Sequence, residues 1–296
     1  MIRTLPMPFD SAAPRGHATG ILLMLAAVLL FSLNDVLGKW LVATYAVGQV
    51  MVLRSLASLV VLSPLAWRSL RAARFRVERP GLQAARVLLG AAEAACFYWS
   101  VGHMPLADAM TYWMAAPIMV TALAALFLGE RVGLRQWGLV LLGFLGVAVA
   151  LGADFAGPLL PALVALCGAL LYSLFLLSSR QLRRTPDVVL ACFQMLGGLA
   201  VGLVLLGIGG WRAPDVVDLA LLLMLGLVAT LGHMGVTRAL KLAPASVVVP
   251  YQYSFLLWAA LFGWLVWGDV PGPALLAGAV LIVGAGLLLF RDQQRG

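Results

Sequence analysis

Ten apolar stretches of about 20 residues each follow one another from residue 18 to residue 290, and this leaves few folds open. An α-helix of about 20 residues covers about 30 Å, the thickness of a bilayer's hydrocarbon. No water reaches backbone N–H and C=O groups in that layer, so such runs cross it as helices that satisfy their own backbone. The expected spans in the first half are 18–39, 46–66, 81–103, 106–129 and 134–153. Those in the second half are 158–180, 187–210, 217–241, 244–268 and 271–290. The fold class read from the sequence is an all-α integral membrane protein with ten transmembrane helices. Residues 1–17, with several prolines and two arginines, are expected as a disordered cytoplasmic N-terminus, and 291–296 as a cytoplasmic tail. The first span is too long for a signal-peptide core and is expected to be retained.

Composition agrees. The chain is 63% hydrophobic and 11% charged, where a soluble domain has roughly 45–50% apolar and about 25% charged residues. A net charge of +8 would suggest nucleic acid in a soluble protein. Here Arg68, Arg71, Arg74, Arg76 and Arg79 crowd one short connector between two apolar spans, so no nucleic-acid partner is expected. Basic residues beside spans report orientation instead. With the N-terminus inside, about 17 of the 20 Lys and Arg fall on the inner side; Lys39 and Arg212 fall outside, and Arg54 lies within a span. This bias places both termini in the cytoplasm of a plasma (inner) membrane.

The second five spans repeat the first five. Pro105-Leu106-Ala107 matches Pro244-Ala245-Ser246, and Leu128-Gly129-Glu130 matches Trp267-Gly268-Asp269, both 139 residues on. Phe31-Ser32 and Lys39 match Tyr172-Ser173 and Arg180, 141 residues on. A unit with an odd number of crossings enters its second copy from the opposite side. The halves 18–153 and 158–290 are therefore expected as inverted five-helix repeats. Inverted repeats place cargo near the midplane and expose it to each face in turn.

Gly129-Glu130-Arg131 follows a proline-containing helix, and Gln136, Gly138 and a glycine-rich helix come next. With the five-plus-five layout, this resembles the drug/metabolite transporter superfamily in its two-repeat, EamA-type form, over about 18–290. The resemblance implies a carrier of small metabolites, often a bacterial amino-acid exporter, closest in look to YddG-like aromatic amino-acid exporters. It also implies that spans one to four and six to nine line a central cavity, with spans five and ten bracing the outside. Asp269-Val270 stands where the family often has Glu-Arg, so the second copy of the motif is degenerate.

Ionisable groups at mid-membrane depth are functional candidates by default. Glu93, halfway along span three, could couple protons, anchor a substrate amino group, or bond a neighbouring helix. His233 in span eight is a second coupling candidate, since imidazole titrates near physiological pH. Asn34 is expected on a polar cavity wall. Asp35 and Lys39, four apart, read as an intrahelical pair. Arg54 could pair with Asp35, bind a carboxylate, or snorkel to the outer interface.

Aromatic residues divide by depth. Trp40, Trp67, Trp137, Trp211, Trp264 and Trp267 near span ends read as interfacial anchors. Tyr98, Trp99, Tyr112 and Trp113 lie within spans. Tyr251, Phe255 and Trp258 share a helical face, with Gln252 beside them. Tyr112-Trp113 is the repeat counterpart of Tyr251-Gln252, so two equivalent helices offer rings and an amide to a flat, partly polar ligand. Pro117 and Pro250 interrupt spans four and nine and are hinge candidates. Gly138, Gly143, Gly146, Gly198 and Gly202 allow close helix contact.

Cys96, Cys167 and Cys192 lack metal-type spacing and read as small buried apolar side chains. No metal or cofactor is expected, and the connectors are too short for a catalytic module. HExxH, GxSxG and phosphate-loop motifs are absent. The expected function is a secondary carrier exporting small metabolites, amino acids including aromatic ones foremost, as a monomer in the lipid bilayer. The alternatives are a multidrug or nucleoside/sugar-type carrier, a channel, or an intramembrane enzyme on a lipid-linked substrate. The enzyme would need Glu93 and His233 as its acid and base, on helices read as non-equivalent.

Overall fold

A computed structural model of the protein describes residues 14–72, 79–116, 118–120, 122–123, 133–151, 159–182, 185–242 and 249–293. Among these residues lie ten α-helices. The first five are α1 (Pro14–Val42), α2 (Val47–Ala72), α3 (Pro80–Val101), α4 (Leu106–Trp113) and α5 (Leu134–Leu151). The second five are α6 (Leu159–Gln181), α7 (Asp187–Gly209), α8 (Val216–Leu242), α9 (Ser254–Trp267) and α10 (Pro273–Gln293). A 3-10 segment, Val249–Tyr253, leads straight into α9. Helices α1, α2, α6, α7 and α8 are each long and apolar enough to cross a membrane. The chain is thus an all-α membrane protein of ten helices in two five-helix repeats. α1 starts at Pro14, ahead of the expected 18, with proline in the first turn where its missing N–H costs nothing.

The most extensive helix contacts are unchanged when each helix is exchanged for the one five places away. α1 packs on α8 and α3 on α6; α2 packs on α8 and α3 on α7; α1 packs on α9 and α4 on α6. Three contacts map onto themselves: α2 with α7, α5 with α10, and α4 with α9. α3 and α8, which carry Glu93 and His233, are therefore counterparts, which corrects the reading of them as non-equivalent. Large apolar side chains such as Val60, Val204, Ile208, Leu257 and Val280 face outward, where hydrocarbon meets them.

Small residues set the interior spacing, because apolar burial alone does not hold helices together in lipid. A Cβ on Gly48 would lie 2.3 Å from the Leu206 backbone nitrogen, so α2 and α7 meet backbone to backbone. A Cβ on Gly146 would lie 3.0 Å from the Gly278 carbonyl oxygen, which seats α5 on α10. Gly143 receives Ile118 in the same way, whereas Gly138 meets nothing within 4 Å and plays no such part.

In spans four and nine, which prolines are expected to interrupt, the described helices have matching irregularities. α4 stops at Trp113, where Ala115 N–H turns back to the Tyr112 carbonyl at 3.1 Å. In the second repeat the 3-10 segment ends at Tyr253. At the 139-residue offset Trp113 corresponds to Gln252, so the end of α4 and the 3-10 segment that leads into α9 fall at matching positions. Pro250 belongs to the 3-10 segment rather than to a continuous α-helix, and Pro117 lies outside the described residues.

Candidate functional site

Helices α1, α2 and α3 bring five polar side chains together inside the bundle. Asn34, Asp35 and Arg54 are buried, and Tyr98 is fully enclosed. Asn34 Nδ2 donates to Asp35 Oδ1 at 3.3 Å. Arg54 Nη1 donates to the Tyr98 hydroxyl, and its guanidinium carbon lies 5.2 Å from that ring's centroid. Asp35 and Glu93 both lie within electrostatic range of Arg54 and of each other. Tyr98 reaches this position because α1 offers it a glycine: a Cβ on Gly38 would stand 2.4 Å from Tyr98 Cε1.

Asp35 does not pair with Lys39. The Lys39 ammonium runs to the end of the bundle where α1 finishes, meets Asp269 Oδ2 at 3.1 Å, and lies 4.4 Å from the Trp267 ring centroid. There it keeps partial exposure, whereas Asp35 turns inward to Asn34 and Arg54. Arg54 does not snorkel to an interface: it is buried and donates to Tyr98.

Aromatic and amide groups adjoin the charged cluster. The Trp113 indole lies near Glu93. It meets Phe97 edge-on at 5.3 Å, over a glycine whose Cβ would stand 2.1 Å from Trp113 Cη2, Gly168. Tyr172 lies within reach of Gln252 and in electrostatic range of Glu93. Phe31 meets the His233 ring edge-on at 4.8 Å and Phe255 at 6.3 Å, and Arg54 acts on His233 electrostatically. The structure therefore brings together Asn34, Glu93, Tyr98, Trp113, His233, Gln252 and Phe255. It adds Asp35, Arg54, Phe31 and Tyr172. The signal for the last two was present: they are counterparts at an offset of 141 residues.

Four expected members stand elsewhere. Trp99 stacks on His103 at 4.1 Å, at the end of α3. Tyr112 is buried in the core beside Asp108, one helical turn away. Tyr251 is exposed, because the 3-10 segment breaks the helical period that would have aligned it with Phe255. Trp258 stacks on Phe262 at 6.0 Å and packs near Met24 and Val28. Among the described hydrogen bonds none joins Glu93 to His233. The cysteines depart from expectation too: Cys167 is exposed, and Cys96 and Cys192 are half-buried.

A family model for EamA-like transporters matches residues 18–152 and again residues 159–291. The chain belongs to the EamA-like transporter family. Its relatives along nearly the full length are small-molecule transporters. It is 29% identical to a pseudopaline exporter of Pseudomonas aeruginosa over 280 residues, 93% of this chain and 97% of the exporter. It is 29% identical to a riboflavin transporter of Rhizobium johnstonii over 290 residues, 95% and 94% of the two chains. It is 24% identical to an S-adenosylmethionine uptake transporter of Rickettsia felis over 286 residues, 96% of each. A solved crystal structure aligns with 94% of this chain and 99% of its own at a TM-score of 0.66 and 19% identity, a likeness of fold.

Proposed function

We propose that this EamA-like transporter is a secondary carrier that exports small zwitterionic metabolites, amino acids including aromatic ones foremost. The observation that carries the reading is a set of two carboxylates and one guanidinium within the bundle, buried Asp35 and Arg54 with half-buried Glu93, beside aromatic rings and an amide. Each buried charge is unfavourable by several kcal/mol unless paired, and intramembrane charges mark cargo or ion paths. An amino acid complements the set. Its ammonium meets Glu93 and Asp35, and its carboxylate takes Arg54 from the Tyr98 hydroxyl. Its side chain lies against Trp113, Tyr172, Phe31 and Phe255.

The equivalent breaks in the fourth helix of each repeat support a midplane site, since interrupted helices form such sites in inverted-repeat carriers. The Lys and Arg bias supports an inner-membrane location with both termini cytoplasmic. Export follows the pseudopaline exporter among the relatives. A second reading, a flat heteroaromatic cargo without charged ends, draws support from the riboflavin transporter. It would use the same rings without needing Arg54.

The test is counterflow in proteoliposomes holding the full chain, with phenylalanine and riboflavin as cargoes. Glu93→Gln is expected to lower phenylalanine counterflow at least tenfold. Unchanged counterflow in Glu93→Gln would overturn the site. Riboflavin counterflow that survives Arg54→Gln, with no phenylalanine counterflow in wild type, would select the second reading.

A further inference from the structure

Arg86 is a second buried guanidinium, seven residues before Glu93 on α3, about 10 Å nearer the Pro80 end at 1.5 Å per residue. Its exposure is 6%, below that of Arg54 at 9%. Nε donates to Ser179 Oγ on α6 at 2.8 Å, and Nη1 donates to the Leu190 carbonyl on α7 at 3.3 Å. The guanidinium carbon stands 4.6 Å from the Phe175 ring centroid. Arg54 has Asp35 and Glu93 close by; Arg86 has no described carboxylate acting on it. A guanidinium carries five N–H donors, and a buried one without a counter-ion is strongly unfavourable.

Its surroundings hold spare polar capacity. Gln83, one turn away on α3, is buried with neither amide atom bonded. Gln194, one turn beyond Leu190 on α7, is buried with Oε1 unbonded. Gln194 Nε2 lies against Gly90, where a Cβ would stand 2.4 Å away. Packing alone would favour apolar groups at these positions, because each unbonded buried amide atom costs about 1–3 kcal/mol. His233 lies within electrostatic range of both Arg86 and Arg54.

We propose that Arg86, with Gln83 and Gln194, forms a second station in the inner half of the bundle. It binds the carboxylate of the cargo before that group passes to Arg54. The station rests on the amino-acid reading given above. The cargo's carboxylate supplies Arg86 with a counter-ion whenever the inner side opens and α6 and α7 move away from α3. In the closed arrangement Ser179 and the Leu190 carbonyl hold the fork in the carboxylate's place. Planar bidentate recognition suits a carboxylate.

The test uses the full chain in proteoliposomes, with phenylalanine and phenethylamine, which share ring and ammonium and differ in the carboxylate. Arg86→Gln is expected to raise the half-saturating phenylalanine concentration at least tenfold and to leave phenethylamine within twofold. Arg86→Lys should recover part of the loss, and Arg79→Gln, at the exposed end of α3, should behave as wild type. An equal change for both cargoes would make Arg86 a packing residue only and overturn the proposal, as would no change for either. If wild type moves neither cargo, the amino-acid reading fails, and the station is read separately. Thermal unfolding of the detergent-solubilised chain is then followed with sodium benzoate and with sodium phosphate. Stabilisation by benzoate that is lost in Arg86→Gln upholds a carboxylate station. An equal response of both proteins to benzoate, or stabilisation by phosphate alone, overturns it.

Discussion

Tyr45 shows how one side chain outside the membrane can join the two repeats. It lies in the connector between α1 and α2, and its hydroxyl donates to Asp218 Oδ2 at 2.6 Å, on the opening turn of α8. The hydrogen bond to Asp218 raises the phenol above its usual value of 10.0, since only the neutral form can donate. A group raised on folding adds stability that is complete below its unfolded value and lost as pH climbs through the folded one. The Tyr45–Asp218 bond is therefore expected to stand through neutral pH and to fail only above about 10. Thermal melts in detergent between pH 7 and 11 check this. Wild type should lose stability at the alkaline end, and Tyr45→Phe should lose less. Parallel curves would show that the phenol contributes no pH dependence. This contact joins residues 173 positions apart, and nothing local in the sequence signals it. Asp35 teaches the same lesson in reverse. Lys39 sits one turn away in the right register for a pair, yet Lys39 goes to Asp269, 230 positions on. Spacing records which partners are possible within a helix. It carries no information on which groups the opposite repeat will present.

At the scale of elements, what could be read from the sequence was what the solvent dictates. Apolar length gave the helices, and the parity of five gave the inversion, because both follow from the thickness and the two sides of a bilayer. The breaks in α4 and before α9 were not legible as a matched pair. Proline drew attention to residues 117 and 250, which do not correspond, although Pro117 lacks the N–H that would bond the Trp113 carbonyl four residues before it, where α4 ends. The match between the two repeats showed only in the coordinates. Glycines were legible as close-packing residues in general but not one by one. Gly48 and Gly138 are both flanked by apolar helix, yet only Gly48 faces backbone. Gly48→Leu must push α2 off α7, and overpacking of this kind typically costs about 1–3 kcal/mol. Gly138→Leu meets open space and should leave stability near wild type. Comparing the melting temperatures of the two variants in one detergent checks the assignment. A larger loss for Gly138→Leu would contradict the α2–α7 crossing.

For the whole molecule, three contacts join the halves at what the Lys and Arg bias makes the outer end. They are Lys39 with Asp269, Tyr45 with Asp218, and the Gln49 side chain, which bonds both the backbone oxygen and the backbone N–H of Arg212 at 2.6 and 3.0 Å. A carrier that opens alternately must break one such set while the other holds, so each contact should be weak enough to exchange. Lys39 fits that requirement. A partly exposed ion pair contributes about 0.2–1 kcal/mol, and an ammonium over an indole about 0.5–1 kcal/mol. Losing both should shift the open-to-closed ratio about fivefold or more without unfolding the bundle. Hydrogen–deuterium exchange of the reconstituted protein reads this shift by location. Lys39→Gln is expected to speed exchange in peptides covering 36–45 and 264–270 and to leave those covering 176–190 unchanged. The charge exchange Lys39→Asp with Asp269→Lys should slow it again, because the ion pair is remade with its sign reversed. Faster exchange at both ends alike would mean that the pair holds the fold together rather than its outer face. Unchanged exchange everywhere would mean that the other two contacts keep that face closed by themselves.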